Sequence, residues 1–279
     1  MTGTSEIRPY EDEARLITSA ANADVKLLRS LNERKFRRKT GWFLAEGMRI
    51  CTEAVQLGHA PQRLVYTADR HSDPALVPLI EACRTAGGRT LAVSPDLLVR
   101  ISRKENAQMV IGAFEQRYHK LNEISLKGCW VALDRVRDPG NLGTIMRTVD
   151  AVGAAGIILI DDCTDPYSLE AVRASMGAVF NVQLVTTSSA AFLEFAKSCP
   201  AQLIGTALPA SEDYRKARWD APMILLMGNE QAGLPDHLMA ACDQLVRMPM
   251  LGRSDSLNLA VSTGVALYEY LRYQDDKPL

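Results

Sequence analysis

Residues 245–271 read L-V-R-M-P-M-L-G-R-S-D-S-L-N-L-A-V-S-T-G-V-A-L-Y-E-Y-L. Leu245 and Val246 form an apolar strand that breaks at Met248-Pro249 and turns through Gly252. From Ser256 onward, Leu257, Val261, Val265, Ala266 and Tyr268 recur at the spacing of one helix face, which predicts a helix restarting at Ser256. A polar helix start just after a strand and a glycine turn leaves backbone N–H groups without partners, and such a start marks a ligand site. Ala260, Ser262, Thr263, Gly264 and Ala266 keep one side of this helix lean, so another backbone can approach it closely.

Upstream of this stretch, strands and helices alternate. The segments C-W-V-A-L-D (129–134), G-I-I-L-I (156–160) and M-I-L-L-M (223–227) are near-continuous apolar runs, as expected of strands buried on both faces of a parallel sheet. The first feeds a D-P-G turn and a helix for which Asn141 is a good cap, with Ile145, Val149 and Val152 inward and Arg147 on another face. A helix over 168–176, a strand over 179–185, a helix around Phe192, a strand at 203–207 and a helix over 236–241 complete the run. Several loops leave the carboxyl ends of these strands, where ligands bind in open α/β sheets.

The first half differs in charge. Of its 120 residues, 19 are Lys or Arg and 14 are Asp or Glu, a net of +5, against −6 for the remainder. Residues 1–14 form a polar, acidic arm, and the first ordered segment is expected at 24–37. Between 26 and 39 stand seven basic residues in fourteen positions with one acidic residue, Glu33, followed by the aromatic pair Trp42 and Phe43. A solvated helix face accounts for a basic run by itself. A cluster this dense makes Arg29, Arg34, Lys35, Arg37, Arg38 and Lys39 candidates for contact with RNA phosphates. After it, strands alternate with helices, among them a helix with Ile50, Ala54, Val55 and Leu57 inward. This is the pattern of a small α/β sandwich domain over 15–118, with a second domain over 127–279.

At 279 residues, 47% hydrophobic and 23% charged, the chain is long enough for two domains with real cores. No apolar run is long enough to span a bilayer and the opening residues hold no signal-peptide core, so a cytoplasmic protein without membrane contact is expected. The six cysteines and four histidines are scattered without C-x-x-C spacing, which argues against a disulfide framework and a metal site.

Three polar clusters stand at strand exits: Asn141 with Arg147, Gly228 with Glu230 and Gly233, and Ser256 with Asn258. Singly they read as a turn, a glycine loop and a helix start. Neither G-x-x-x-x-G-K-[ST] nor G-x-G-x-x-G is present, so nucleotide phosphate cradling is not indicated.

Taken together, D-R-V-R-D-P-G-N-L-G-T-I-M-R-T, M-G-N-E-Q-A-G-L-P and M-P-M-L-G-R-S-D-S-L-N-L-A-V-S-T-G closely resemble the three motifs of the SpoU (TrmH-type) RNA 2′-O-methyltransferases of the SPOUT superfamily, over 130–271. The segment F-L-A-E-G-M-R-I-C-T-E-A-V is similar to the ribosomal-protein-like substrate-binding domain that precedes the catalytic domain in many members. The resemblance implies a parallel α/β sheet whose C-terminal segment is threaded into a deep trefoil knot, an exception to unknotted topology. It implies an S-adenosylmethionine pocket built from main-chain groups around Thr206, Ala207, Leu208, Gly228, Met248 and Leu257. It also implies a homodimer joined through the last helix, in which Arg147 of one subunit serves beside the other's cofactor. Methyl transfer to a ribose 2′-hydroxyl then needs no metal. Arg147 is expected to be essential, either taking the hydroxyl proton or holding the target's phosphate and orienting the hydroxyl. Asn141 and Glu230 are expected to position that arginine, and Ser256 and Asn258 to fix the third loop and meet the ribose. The basic segment favours structured ribosomal RNA over transfer RNA. A transfer-RNA ribose methyltransferase, a base methyltransferase and a non-catalytic RNA-binding relative are the alternatives.

Overall fold

The computed structural model describes residues 16–104, 108–207 and 212–275. The chain divides into two compact units, Met1–Glu115 and Gln116–Leu279.

The first unit has the order α1 (Ala23–Ser30), α2 (Arg34–Thr40), β1 (Trp42–Glu46), α3 (Met48–Gln56), β2 (Arg63–Thr67), α4 (Val77–Thr85), β3 (Arg89–Val93), α5 (Pro95–Ser102) and β4 (Val110–Glu115). Its sheet runs β1-β4-β2-β3, with β4 antiparallel to both neighbours and β2 parallel to β3. The ordered segment expected over 24–37 consists of two helices. Asn22 starts the first by accepting from the Asp24 and Val25 amides. At the break, Asn32 donates to the carbonyls of Arg29 and Ile101, at 3.1 and 2.9 Å, which pins the junction to the end of α5. In α3 the inward residues are Ile50, Cys51 and Ala54, whereas Leu57, expected inward, is 46% exposed beyond the end of the helix.

The second unit contains β5 (Cys129–Asp134), α6 (Pro139–Ala151), β6 (Gly156–Ile160), α7 (Leu169–Ser175), β7 (Gln183–Thr187), α8 (Ser189–Ser198), β8 (Gln202–Thr206), β9 (Glu212–Asp213), β10 (Met223–Met227), α9 (Asp236–Met239), β11 (Gln244–Arg247) and α10 (Leu259–Asp275). The seven strands lie in the order β7-β6-β5-β10-β8-β11-β9, and every pairing is parallel. Phe192 of α8 and Leu238 of α9 pack on one face, against Trp130, Ala132, Ile158, Leu203, Ile224 and Leu226. Residues on the other face, among them Val131, Leu133, Ile157 and Leu225, are also buried, and α6 packs against both α7 and α10. Gly143 allows the α6–α7 approach, since a Cβ there would lie 2.4 Å from the Ala171 carbonyl oxygen.

Three local expectations are corrected. Asp138, not Asn141, caps α6: its carboxylate accepts from the Asn141 amide at 2.6 Å, and Pro139 fills the first helical position. The strand expected over 179–185 begins at Gln183, because the turn through Met176 and Gly177 leads into a short 3-10 helix at Ala178–Phe180. The last helix starts at Leu259 rather than Ser256. Its first turn is closed by the Asn258 side chain, which accepts from the Ala260 and Val261 amides. The face that it buries is Leu259, Ala260, Thr263, Ala266, Leu267 and Tyr270, while Leu257, Val261 and Tyr268 are 41, 52 and 56% exposed. No helix among the described residues is long and apolar enough to cross a membrane.

Candidate active site

Strands β5 and β10 are neighbours, but their chains leave in opposite directions, one toward β6 and the other toward β11. Such a divergence opens a crevice at the carboxyl ends of the strands. Here it widens into a cavity of about 1180 Å³, lined from the exits of β5, β8, β10 and β11 and the start of α10. Sites for drug-sized molecules commonly enclose about 300–1,000 Å³, so this one has room for a cofactor and part of an acceptor.

Asn141, Thr206, Ala207, Gly228, Glu230, Met248, Ser256, Leu257 and Asn258 all line that cavity. Leu208 lies outside the described residues. Arg147 does not line it: it stands exposed on α6, with no hydrogen bond or ion pair among the described residues. In the first unit Lys26, Arg29, Arg34, Lys35, Arg38 and Lys39 are exposed, but Arg37 is only 4% exposed. Its guanidinium donates to the Leu31 carbonyl at 2.8 Å, which satisfies the end of α1. Arg37 is therefore a structural arginine and not an RNA ligand.

The three polar loops are joined by hydrogen bonds between side chains. Asn258 Nδ2 donates to Asn141 Oδ1 at 2.9 Å, and Asn141 Nδ2 donates to Glu230 Oε1 at 3.3 Å. Glu230 also accepts from the amides of Arg137 and Asp138, each at 3.3 Å, at the entrance to α6. Because Asp138 takes over the capping of α6, the Asn141 side-chain carboxamide is left to bridge the other two loops.

Asn229 was not a candidate from sequence, yet it ties the second loop to the first. Its Nδ2 donates to the Arg135 carbonyl at 2.7 Å, while its Oδ1 accepts from the Gln231 and Ala232 amides. The available signal was an asparagine directly after an apolar strand and a glycine, where the side chain readily closes a turn. Gly228 has no room for a side chain: a Cβ would meet the Gly233 carbonyl carbon at 2.2 Å and the Leu234 nitrogen at 2.3 Å. Two backbone segments of one loop thus touch there, and the cavity wall beside them is main chain.

Arg135 was also passed over. It has a left-handed backbone, φ 48°, a conformation that costs a non-glycine residue about 1–2 kcal/mol. The conformation is held from both sides, by the Arg135 amide on the Ile160 carbonyl and by Asn229. Its Nε and Nη2 both donate to Asp134 Oδ2, at 2.9 and 2.8 Å, and Asp134 is buried. That hydrogen-bonded carboxylate pushes the Arg135 guanidinium above the ordinary arginine range. Behind the loop, burial pushes the Cys163 thiol up to about 11, so it is protonated and inert at neutral pH.

The cavity suits S-adenosylmethionine in its donor set. Met227, Leu234, Met239, Val246, Met248 and Met250 supply apolar wall, and the tight turn at Gly228 presents backbone. Among the described residues, no group of three or more His, Cys, Asp or Glu could hold a metal ion.

Comparison with known proteins now bears on this geometry. Residues 128–268 match the model of the SpoU rRNA Methylase family. The chain belongs to that family. Residues 22–112 match the MRM3-like substrate binding domain. The 23S rRNA (uridine(2479)-2′-O)-methyltransferase of Streptomyces viridochromogenes is 32% identical, over 93% of this chain and 92% of its own. RlmP of Bacillus subtilis, a 23S rRNA (guanosine(2553)-2′-O)-methyltransferase, is 28% identical over 90% of this SpoU chain and 97% of its own. The AdoMet-bound rRNA methyltransferase from Sinorhizobium meliloti superposes with a TM-score of 0.88 at 43% identity, covering 94% of this chain and 98% of that one.

Proposed function

We propose that this SpoU-family protein methylates a ribose 2′-hydroxyl in ribosomal RNA, with S-adenosylmethionine as donor, in the cytoplasm. The observation that carries the reading is the convergence of the three loops, through Asn141, Glu230 and Asn258, on one cavity of about 1180 Å³ beside a main-chain wall. The three relatives described above are each named as ribosomal-RNA methyltransferases, which supports ribosomal over transfer RNA as substrate class.

Bound in the cavity, S-adenosylmethionine would supply an electrophilic methyl group, the methyl–sulfur bond breaking in line as the ribose oxygen bonds to the carbon and the hydroxyl proton leaves to solvent. The wall from Thr206, Ala207, Gly228, Met248 and Leu257 holds it, with Leu208 assigned the same role. Alignment accounts for much of the rate, since fixing two reactants in geometry replaces an encounter by an internal step. Ser256 and Asn258 meet the ribose at the mouth of the third loop. Arg147 orients the hydroxyl and its neighbouring phosphate, and it acts in the site of a second copy, because it stands away from the cavity of its own chain.

A homodimer follows from that assignment. Val261 and Tyr268 are exposed apolar residues on one face of α10, and the exposed Leu257 and Leu251, the latter 98% exposed, lie just before it. The second copy covers these residues. Insertion of β10 and β11 on either side of the earlier strand β8 supports a threaded, knotted C-terminal segment. Residues 15–118, which hold Arg29, Arg34, Lys35, Arg38 and Lys39, are assigned to RNA binding, and residues 127–279 to catalysis.

Arg147→Ala tests the reading. Transfer to ribosomal RNA should be lost while calorimetric affinity for S-adenosylmethionine stays within about threefold, a difference under about 0.7 kcal/mol. Retained turnover would remove Arg147 from the mechanism. Nucleoside mass spectrometry of ribosomal RNA from cells with and without the protein should show one 2′-O-methyl nucleoside lost.

A further inference from the structure

Arg135, Arg137 and Arg247 line the cavity, and the first two stand together on one short segment. Residues 135–137 read R-V-R at the exit of β5. Val136 is fully buried and pegs the segment, while Arg135 and Arg137, two positions apart, both line the cavity. Each guanidinium is held by one carboxylate: Arg135 by the buried Asp134, and Arg137 by Asp162 of the neighbouring strand exit, Nη1 to Oδ2 at 3.2 Å. Arg135 commits Nε and Nη2 to a single oxygen, and its Nη1 has no partner among the described residues.

A guanidinium carries five N–H donors in a planar fork, so each arginine keeps donors for an outside anion. The backbone beneath them is rigid, since Asn229 holds the Arg135 carbonyl and Glu230 accepts the Arg137 amide. We propose that Arg135 and Arg137 clamp the phosphates of the RNA strand next to the target ribose, positioning the acceptor at the mouth of the cavity. This rests on the ribose-methylation reading and adds positioning residues to the same site. A methyl donor brings one carboxylate, whereas Arg135, Arg137 and Arg247 give the lining three guanidinium groups. Its two acids, Asp138 and Glu230, are already occupied by backbone amides. The guanidinium N–H groups that Asp134 and Asp162 leave over suit fork-like recognition of phosphate oxygens.

The test uses the full-length protein and ribosomal RNA from cells lacking it. Arg137→Ala should raise KM for that RNA about fivefold and Arg135→Gln about tenfold, with kcat within about threefold. Each should lower the slope of log affinity against log salt by about one, measured by fluorescence anisotropy on the same RNA. Affinity for S-adenosylmethionine by calorimetry should stay within about twofold. Because Arg135→Gln leaves Asp134 buried without its counter-ion, the double variant Asp134→Asn/Arg135→Gln is measured beside it and should give the same KM. Weaker cofactor binding with unchanged RNA affinity would assign these arginines to the donor's carboxylate and overturn the clamp. So would unchanged values for both ligands, which would leave the arginines serving only their aspartates. If the unaltered protein methylates no ribosomal RNA, the functional reading fails, and the salt slopes still decide the clamp.

Discussion

In the first unit, basic side chains stand on α1 and α2 pointing into solvent, and they form few contacts with one another. Lys35 pairs with Glu33 at 3.2 Å and lies over the Phe36 ring, and Lys26, Arg29, Arg38 and Lys39 are exposed. In the second unit, the polar residues of three loops bond to each other across sequence separations of 89 and 117. The difference lies in what each function tolerates. Attraction to a polyanion sums over many charges and is indifferent to the exact place of any one. Holding a donor and an acceptor in line is lost by displacements of about 1 Å. Substitutions should therefore act gradually in the first unit and abruptly in the second.

The sharpest test of that contrast is Gly228→Ala. The added methyl cannot be housed without separating Gly228 from the Gly233–Leu234 backbone, and overpacking of this kind costs about 1–3 kcal/mol. Affinity for S-adenosylmethionine by calorimetry should fall at least about hundredfold, close to 2.7 kcal/mol. Binding within a few-fold of the parent would show that the second loop is not the cofactor wall.

Arg37→Met breaks the contrast from the other side, because Arg37 belongs to the basic cluster in sequence but to the core in structure. Loss of its bond to the Leu31 carbonyl should lower unfolding stability by about 2–3 kcal/mol in urea. The salt slope of RNA binding should not move. A changed slope with unchanged stability would return Arg37 to the RNA face.

These two residues also show what the sequence could and could not reveal. The apolar runs of β5, β6 and β10 were legible because a strand buried on both faces permits little else, and two of the loop motifs were legible because they follow β5 and β10, while the third follows the shorter β11. The face of α10 was not. Leu257, Val261 and Tyr268 are as apolar as a core stripe, and periodicity does not tell a buried face from an exposed one. Arg37 was misplaced for a related reason, since charge in a sequence does not report which guanidinium closes a helix end. Asp138 and Asn141 are both capping residues by type. Which of them caps was settled by Pro139, which fits the first helical position and so moves the cap to Asp138.

Asn258 separates stability from chemistry within the second unit, because its two ends do different work. Its Oδ1 closes the first turn of α10, and its Nδ2 reaches Asn141. Asn258→Ala should cost about 1 kcal/mol of stability as a lost cap and should also lower kcat. Asn258→Asp keeps the cap acceptor and replaces the donor with a carboxylate oxygen that cannot bond Asn141 Oδ1, so it should recover the stability and leave kcat low. Equal kcat in the Asp variant and the parent would show that the link to Asn141 has no part in transfer.

The smallest effect is expected at Arg38, which is exposed beside Lys39 at the end of α2. A surface arginine of this kind contributes within about 0.5 kcal/mol to stability, so Arg38→Ala should leave the urea transition in place. Its loss should appear only in RNA binding, as a reduction of about one in the slope of log affinity against log salt. Cofactor affinity and the kcat reached at saturating RNA should match the parent, because the charge attracts the strand and does not align the reacting atoms. Lys35→Ala should behave alike, and the two together should reduce the slope by about two, since phosphate contacts release their counterions independently. A slope that stays fixed in the double variant would make this face a solvated surface and leave the cavity loops as the principal RNA contact.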